Sequence, residues 1–331
     1  MLKISFCTVS MNRLHHIRET LQANMAANTG YENLEFVLFD YNSGDGLADW
    51  VHENFSRELK KGKLIFGSTD TPDHFDRSRS RNMAFRLATG DIVCNVDADN
   101  FTGPDFAAFI NRHFQTDPDS YLSVNYKDNL MNFSDTYGRI ACLREDFETV
   151  GGFDESMEGY GYEDIDLCQR LSLLGRKQYF IVDKKFHKTI RHGYNDRFSH
   201  AAGRLKIRAV FVNYRSPFRS GILFLFDDNR CAYGTLQDED EGMGNPTIEE
   251  KRWLTGRYKR DGDNNLIIHL QDYSMELACR KENFKDSEGR VYYKIIDKNY
   301  LIKLETLYPI IGNHQILVNN MKEQRVRVNE L

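Results

Sequence analysis

A chain of 331 residues, 40% hydrophobic and 28% charged, can bury one sizeable core and a second smaller one, so two domains are expected. Its formal net charge of −5, with lysines and arginines scattered along the chain, supplies no basic field and argues against a nucleic-acid partner. The opening run LKISFCTVS is too soon broken by Met11, Asn12 and Arg13 to be a signal peptide, and no later run approaches the roughly 20 apolar residues of a membrane-spanning helix. Peripheral membrane association stays open. The six cysteines (Cys7, Cys94, Cys142, Cys168, Cys231 and Cys279) are widely separated and form no CxxC pair, the pattern of reduced thiols in a cytoplasmic protein.

Residues 1–215 alternate short β-rich runs with helical patterns. The runs KISFCTVS (3–10), LEFVLFDYNS (34–43), GKLIFGS (62–68) and DIVCNVDAD (91–99) are separated by helices predicted over about 13–28, 46–60 and 77–88. This spacing implies βαβ units and a mainly parallel, Rossmann-like sheet, whose ligands collect at the carboxyl ends of the strands. From 216 to 331 the texture changes to short alternating strands such as GILFLF (221–226), NLIIHLQDYSMELACR (265–280), RVYYKII (290–296) and YLIKLETL (300–307), parted by turn clusters such as Asp261–Asn264. An all-β accessory domain is expected there, a small barrel or sandwich, and GRYKRDGDNNLIIHLQDY (256–273) faintly resembles lipocalin-like barrels.

Two carboxylate groups stand out. Asp97 and Asp99 end an apolar strand, and Asp-X-Asp on a short turn supplies the hard oxygen ligands that a Mn2+ or Mg2+ ion on a nucleotide diphosphate requires; an Asx turn is the competing reading. In GGFDESMEGYGYEDIDLCQRL (151–171), Glu163, Asp164 and Asp166 follow a glycine-rich aromatic loop and open a helical pattern. One of them could act as general base; alternatively, all three only complement the helix dipole.

The segment GYGYEDID (159–166) resembles the Gly-Trp-Gly-Gly-Glu-Asp-Asp-Asp signature of the β1,4-galactosyltransferase and N-acetylgalactosaminyltransferase family. FDRSRSRNMAF (75–85) resembles that family's Phe-Asn-Arg-Ala-Lys-Leu-Leu-Asn-Val-Gly-Phe segment, and TIRHGYNDR (189–197) its Met-Ile-Arg-His metal-binding segment. The same pattern is found more loosely in bacterial family 2 glycosyltransferases. The resemblance spans roughly 1–200 and implies a catalytic domain of the GT-A fold over 1–215.

By resemblance, the enzyme moves a sugar of galactose or N-acetylgalactosamine type from a UDP-sugar to a hydroxyl of a glycan or glycoconjugate, inverting the anomeric centre. Asp164 would be the base, Glu163 would hold a sugar, and Tyr160, where the family carries Trp, would stack on it. Tyr162 replaces a glycine and alters the pocket. Asp99 and His192 would ligate Mn2+ or Mg2+, with Thr189 in the place of the family's methionine ligand and His187 a second-ranked alternative to His192. Asp97 would contact the ribose or donor sugar. Ser10, Asn12 and Arg13 end the first strand where family members meet the uridine. Asp40 ends the second, either accepting from the uracil imide or forming only an Asx turn, with Asn42 beside it. Of the arginines 77, 79 and 81, the resemblance favours Arg77 as the site residue, the others lying on a solvated helix face. A retaining N-acetylgalactosaminyltransferase-like enzyme, a nucleotidyltransferase and a non-catalytic glycan-binding protein are the competing classes.

Overall fold

The computed structural model describes residues 1–125, 136–157, 161–191, 207–216, 219–238, 246–248, 254–271, 274–280, 283–295, 313, 316–317 and 319–329. Tyr160 and His192, both expected in the site, and the strand expected over 300–307 lie outside them. The chain forms two compact units, Met1–Ala201 together with Gly312–Leu331, and Ala202–Ile311. The all-β unit is therefore an insertion. The sequence-based boundary at 215/216 falls at the end of its first strand, and the last stretch of the chain returns to the first unit. A texture change from helix period to strand period marks where a β unit begins, but a short polar tail carries no such mark.

The first unit is built on a seven-stranded sheet in the order β3-β2-β1-β4-β6-β5-β7. Its strands are β1 (Ile4–Ser10), β2 (Leu34–Tyr41), β3 (Leu64–Thr69), β4 (Ile92–Asn95), β5 (Ser120–Ser123), β6 (Ala141–Leu143) and β7 (Lys177–Phe180). The first four run parallel and only β6 is antiparallel to its neighbours. β1 and β2 are buried along nearly their whole length, which is why their sequences read as continuous apolar runs. Helices α1 (Leu14–Ala27), α2 (Leu47–Asn54), α3 (Ser56–Lys60), α4 (Arg77–Leu87), α5 (Phe106–Thr116), α6 (Arg144–Thr149) and α7 (Glu163–Leu173) connect them. The single helix expected over 46–60 is two, because Phe55 leaves helical geometry at φ −125°.

Two apolar clusters fill the unit. In one, Ile17 and Leu21 of α1 and Phe106, Ile110 and Phe114 of α5 pack on the sheet. In the other, Ala84 and Phe85 of α4 and Leu167 and Leu171 of α7 cover the opposite face.

The second unit closes on itself. β8 (Ile207–Ser216), β9 (Arg219–Phe226), β10 (Arg230–Asp238), β12 (Leu254–Arg260), β13 (Leu266–Leu270), β14 (Ser274–Arg280), β15 (Asn283–Lys285) and β16 (Val291–Lys294) pair in sequence, and β16 returns to β8, with the short β11 (Pro246–Ile248) added outside on β10. The result is an eight-stranded antiparallel barrel, which removes the exposed edges an open sheet would leave. A cluster drawing on all eight strands, from Phe211 through Tyr258 and Leu277 to Tyr292, fills its interior.

α1 carries a buried polar stripe that fixes the acidic turn. Thr20 Oγ1 donates to the Ala98 carbonyl at 2.7 Å, and Asn24 Nδ2 to the Asn100 carbonyl at 3.0 Å. Asn24 Oδ1 accepts from the Thr102 amide at 2.8 Å, and Asn28 Nδ2 donates to Thr102 Oγ1 at 2.9 Å. The spacing of four residues puts all three side chains on one helix face. Asn24→Ala should therefore strand the buried Thr102 amide and cost about 1–3 kcal/mol of stability, read from urea unfolding.

Candidate active site

The site lies at the carboxyl ends of the parallel strands, where β4 gives way to Asp97–Ala98–Asp99. Its organising residue is Arg81, on α4 and 5% exposed. Arg81 Nη2 binds Asp97 Oδ1 at 3.0 Å, while Nη1 binds Glu163 Oε1 at 3.1 Å and Asp164 Oδ1 at 2.8 Å. One guanidinium thus joins the end of β4 to the first turn of α7, segments more than sixty residues apart in the chain. Its carbon also lies 5.3 Å over the Phe153 ring.

The reading of Arg81 as lying on a solvated helix face is corrected: it is buried among the site carboxylates. Arg77 opens α4 with its guanidinium 5.5 Å over Phe75 and is near enough to favour the charged forms of Asp97 and Asp164. Arg79, two residues on, is exposed. Helix rotation selects the i, i+4 pair, and α4's burial against the sheet makes the second member the buried one.

The three carboxylates differ. Arg81 and the amide of Asn95, which donates to Asp97 Oδ1 at 2.9 Å, hold Asp97 below the ordinary carboxylate range despite burial. Burial pushes Asp164 the other way, up to about 7, reinforced by Glu163 and Asp97 and only partly offset by Arg81. Gly138 makes the closure possible: a Cβ there would come within 2.8 Å of both Arg81 Nη2 and Asp97 Oδ2. Asp166 turns away from the site into a fully buried pair with Arg170 at 2.7 Å.

The acidic turn is braced from behind by Arg139, 0% exposed. Its Nη2 donates to Asn100 Oδ1 and to the Phe101 carbonyl, both at 3.1 Å, and its Nη1 to the Phe186 carbonyl. With no carboxylate in contact among the described residues, burial lowers this guanidinium to about 10. On the far side, Ile190 N donates to the Asp99 carbonyl at 2.8 Å and Asn100 bridges Thr189 in antiparallel fashion. The segment leading to His192 is thereby laid against the turn that bears Asp99.

His187 is not available as a ligand. Its Nε2 faces the Ile181 carbonyl at 2.8 Å and so carries the proton, leaving Nδ1 to accept from Thr136 Oγ1 at 2.9 Å. Burial lowers it toward this neutral form. Among the described residues, no group of three or more His, Cys, Asp and Glu side chains converges as a metal cluster.

The expected nucleotide residues gather at the ends of β1 and β2, where Ser10 and Asp40 are in register. Ser10 is 1% exposed, its hydroxyl buried rather than presented. Asp40 forms the Asx turn, Oδ1 accepting from Ser43 N at 2.9 Å, and burial raises its carboxyl. Asn12 ties the two loops, its Oδ1 accepting from Gly44 N at 2.7 Å and its amide donating to Ser43 Oγ at 2.9 Å. Asp45 Oδ2 caps α1 at the Leu14 amide, next to half-buried Arg13, and Asn42 Nδ2 donates to the Pro72 carbonyl at 3.1 Å. Tyr162 caps α7 at φ +71°, a left-handed conformation natural to glycine.

The chain belongs to glycosyl transferase family 2, whose model matches residues 5–206 and stops where the barrel begins. Its first unit has the mainly parallel sheet of the GT-A fold. The mannosyltransferase PcManGT from Pyrobaculum calidifontis, solved in complex with GDP-Man and Mn2+, is similar at 21% identity and a TM-score of 0.45 over 55% of either chain. TarS 1–349 from S. aureus is similar at 18% identity and a TM-score of 0.45, over 59% of this chain and 62% of that one. Its complex with UDP-GlcNAc aligns at 15% identity and a TM-score of 0.40, over 60% and 64%. The chain thus spans less than two thirds of these proteins. No curated protein matches it.

Two expectations test the site. Arg81→Met should destabilise the protein by about 3–5 kcal/mol in chemical unfolding, because it strands buried charge. The raised Asp164 carboxyl keeps in the folded chain a proton that the unfolded chain has lost. Stability from this residue is therefore present at low pH and lost as pH rises toward about 7. The difference between the pH–stability curves of wild type and Asp164→Asn should show that loss.

Proposed function

We propose that the first unit transfers a sugar from a UDP-sugar to a hydroxyl of a glycan or glycoconjugate, with inversion at the anomeric carbon and with a divalent cation, Mn2+ or Mg2+. The observation that carries this reading is the Arg81 bridge, which joins the acidic turn to the Glu163–Asp164 pair in one buried site. A galactose or N-acetylgalactosamine type of donor is the working choice.

Asp164 is the base. Only 14% of its side chain is exposed, and its carboxyl titrates near neutrality, so it can take the acceptor proton at working pH. Glu163, buried beside it, orients a sugar hydroxyl. Asp97 is already engaged by Arg81 and Asn95, so its remaining role is a contact to ribose or donor sugar. Asp99 is the turn carboxylate that would ligate the cation, with His192 as its partner; the bridge of Asn100 to Thr189 and the bond from Ile190 N to the Asp99 carbonyl support this reading. A bound divalent cation would stabilise the departing diphosphate. Arg77 supplies positive charge at the same edge. The donor base would sit across the β1 and β2 loops, near Asn12, Arg13, Asp40 and Asn42, with Ser10 shaping the floor, and the rings of Tyr160 and Tyr162 would border the sugar.

A panel of UDP-sugars with Mn2+, scored by thermal stabilisation and UDP release, tests the donor. Asp164→Asn should keep the stabilisation and lose at least 100-fold in transfer. Asp99→Ala should lose the metal-dependent part of the stabilisation. Unchanged turnover in Asp164→Asn sinks the base assignment. Inversion is checked by the anomeric configuration of the product, and release of pyrophosphate instead of UDP would mark a nucleotidyltransferase.

A further inference from the structure

The stretch 313–329 follows the barrel in sequence yet belongs to the first unit, and its contacts are made with the loop and helix that carry the base. Asn313 Nδ2 donates to the Gly161 carbonyl at 2.9 Å. Asn320, 4% exposed, donates from one Nδ2 to Asp154 Oδ2 and to Asp166 Oδ1, both at 2.9 Å. Asn329 Nδ2 donates to the carbonyls of Gly151 at 2.8 Å and Phe153 at 2.6 Å. Val326 packs into the cluster that holds Phe85, Phe153 and Leu167.

The backbones also meet. A Cβ on Gly151, at φ +75°, would lie 2.6 Å from the Asn329 carbonyl oxygen, so the glycine turn is shaped to receive this segment. These contacts fall on both sides of 158–160, at 151–155 before it and at Gly161 and Asp166 after it.

We propose that residues 313–329 are a strap that positions the catalytic motif, with Asn320 as its main positioning residue. The inference rests on the reading of Asp164 as base. Asp166 is two residues from Asp164 in the first turn of α7, so the bond from Asn320 fixes the rotation of that turn and hence where the Asp164 carboxylate meets Arg81. A neutral amide suits the place. Asp154 and Asp166 are 2% and 1% exposed, and an amide gives each a hydrogen without adding charge. The amide orientation that does so follows from its two carboxylate partners.

The test uses the full chain with N320L, which removes the donors at similar volume, and N320D, which sets a third carboxylate against the two. In both, amides of residues 161–168 should exchange hydrogen at least tenfold faster than in wild type while the β1–β2 region is unchanged. Thermal stabilisation by UDP with Mn2+ should persist, UDP release from UDP-galactose, UDP-N-acetylgalactosamine and UDP-GlcNAc should fall at least tenfold, and N320D should be the more affected. Unchanged exchange at 161–168, or exchange raised uniformly along the chain, overturns the strap. Faster local exchange with undiminished UDP release overturns its catalytic role. D164N, run alongside, separates the two readings: if it still turns over, the base assignment falls while the exchange comparison still decides the strap. A wild type that UDP fails to stabilise sinks the donor reading and leaves the same comparison decisive.

Discussion

A single buried guanidinium facing three carboxylates governs the first unit. A charge removed from water is tolerated only when it is paired and hydrogen-bonded, and Arg81 meets that condition by taking Asp97, Glu163 and Asp164 together. One cation cannot balance three anions. Two aspartates accordingly behave in opposite ways: Asp97, gripped by Arg81 and Asn95, remains ionised, while Asp164 holds its proton up to about 7. Burial is the main cause of the Asp164 shift, and the neighbouring carboxylates Glu163 and Asp97 add to it. The missing side chain at Gly138 and the burial of the second arginine of an i, i+4 pair are what allow the grouping to form.

Around this charged centre, positioning is done largely by neutral amides. Asn24 and Asn28 hold the turn after Asp99, Asn95 braces Asp97, and Asn82 pins Phe153 through both its backbone amide and its carbonyl at 2.9 Å. An amide offers two hydrogens and an acceptor, so it can satisfy backbone groups of either kind without adding charge. Arg139, fully buried behind the acidic turn, supplies a positive charge there without a salt bridge among the described residues.

Much of this was legible in the sequence. The parallel sheet followed from apolar runs alternating with helical patterns, and the two carboxylate pairs were visible as Asp97/Asp99 and Glu163/Asp164. Arg81 was not singled out, because FDRSRSRNMAF shows three arginines at equal intervals and only the packing of α4 on the sheet decides which one is buried. Asp40 gave two equal readings; the structure shows the Asx turn, with Ser43 N donating to Oδ1. His187 looked like a ligand by type, and only its neighbours Thr136 and Ile181 occupy both its nitrogens. Tyr162 takes a positive φ at the place where the signature it resembles has glycine. The return of 313–329 to the first unit was invisible, since short polar residues with scattered asparagines announce no element and no partner.

That return has a consequence in time. The contacts that seat the motif join residues 152, 154 and 178 positions apart, and pairings of such separation close late because their loop entropy must be met first. During synthesis, the whole insertion Ala202–Ile311 must be translated before the strap exists, an interval of roughly 5–20 seconds at common elongation rates. Through that interval the nascent chain carries its sheet and acidic turn with α7 not yet anchored. The order of synthesis and of completion therefore differ: the unit begun first is finished last, after the barrel in its midst has had time to close.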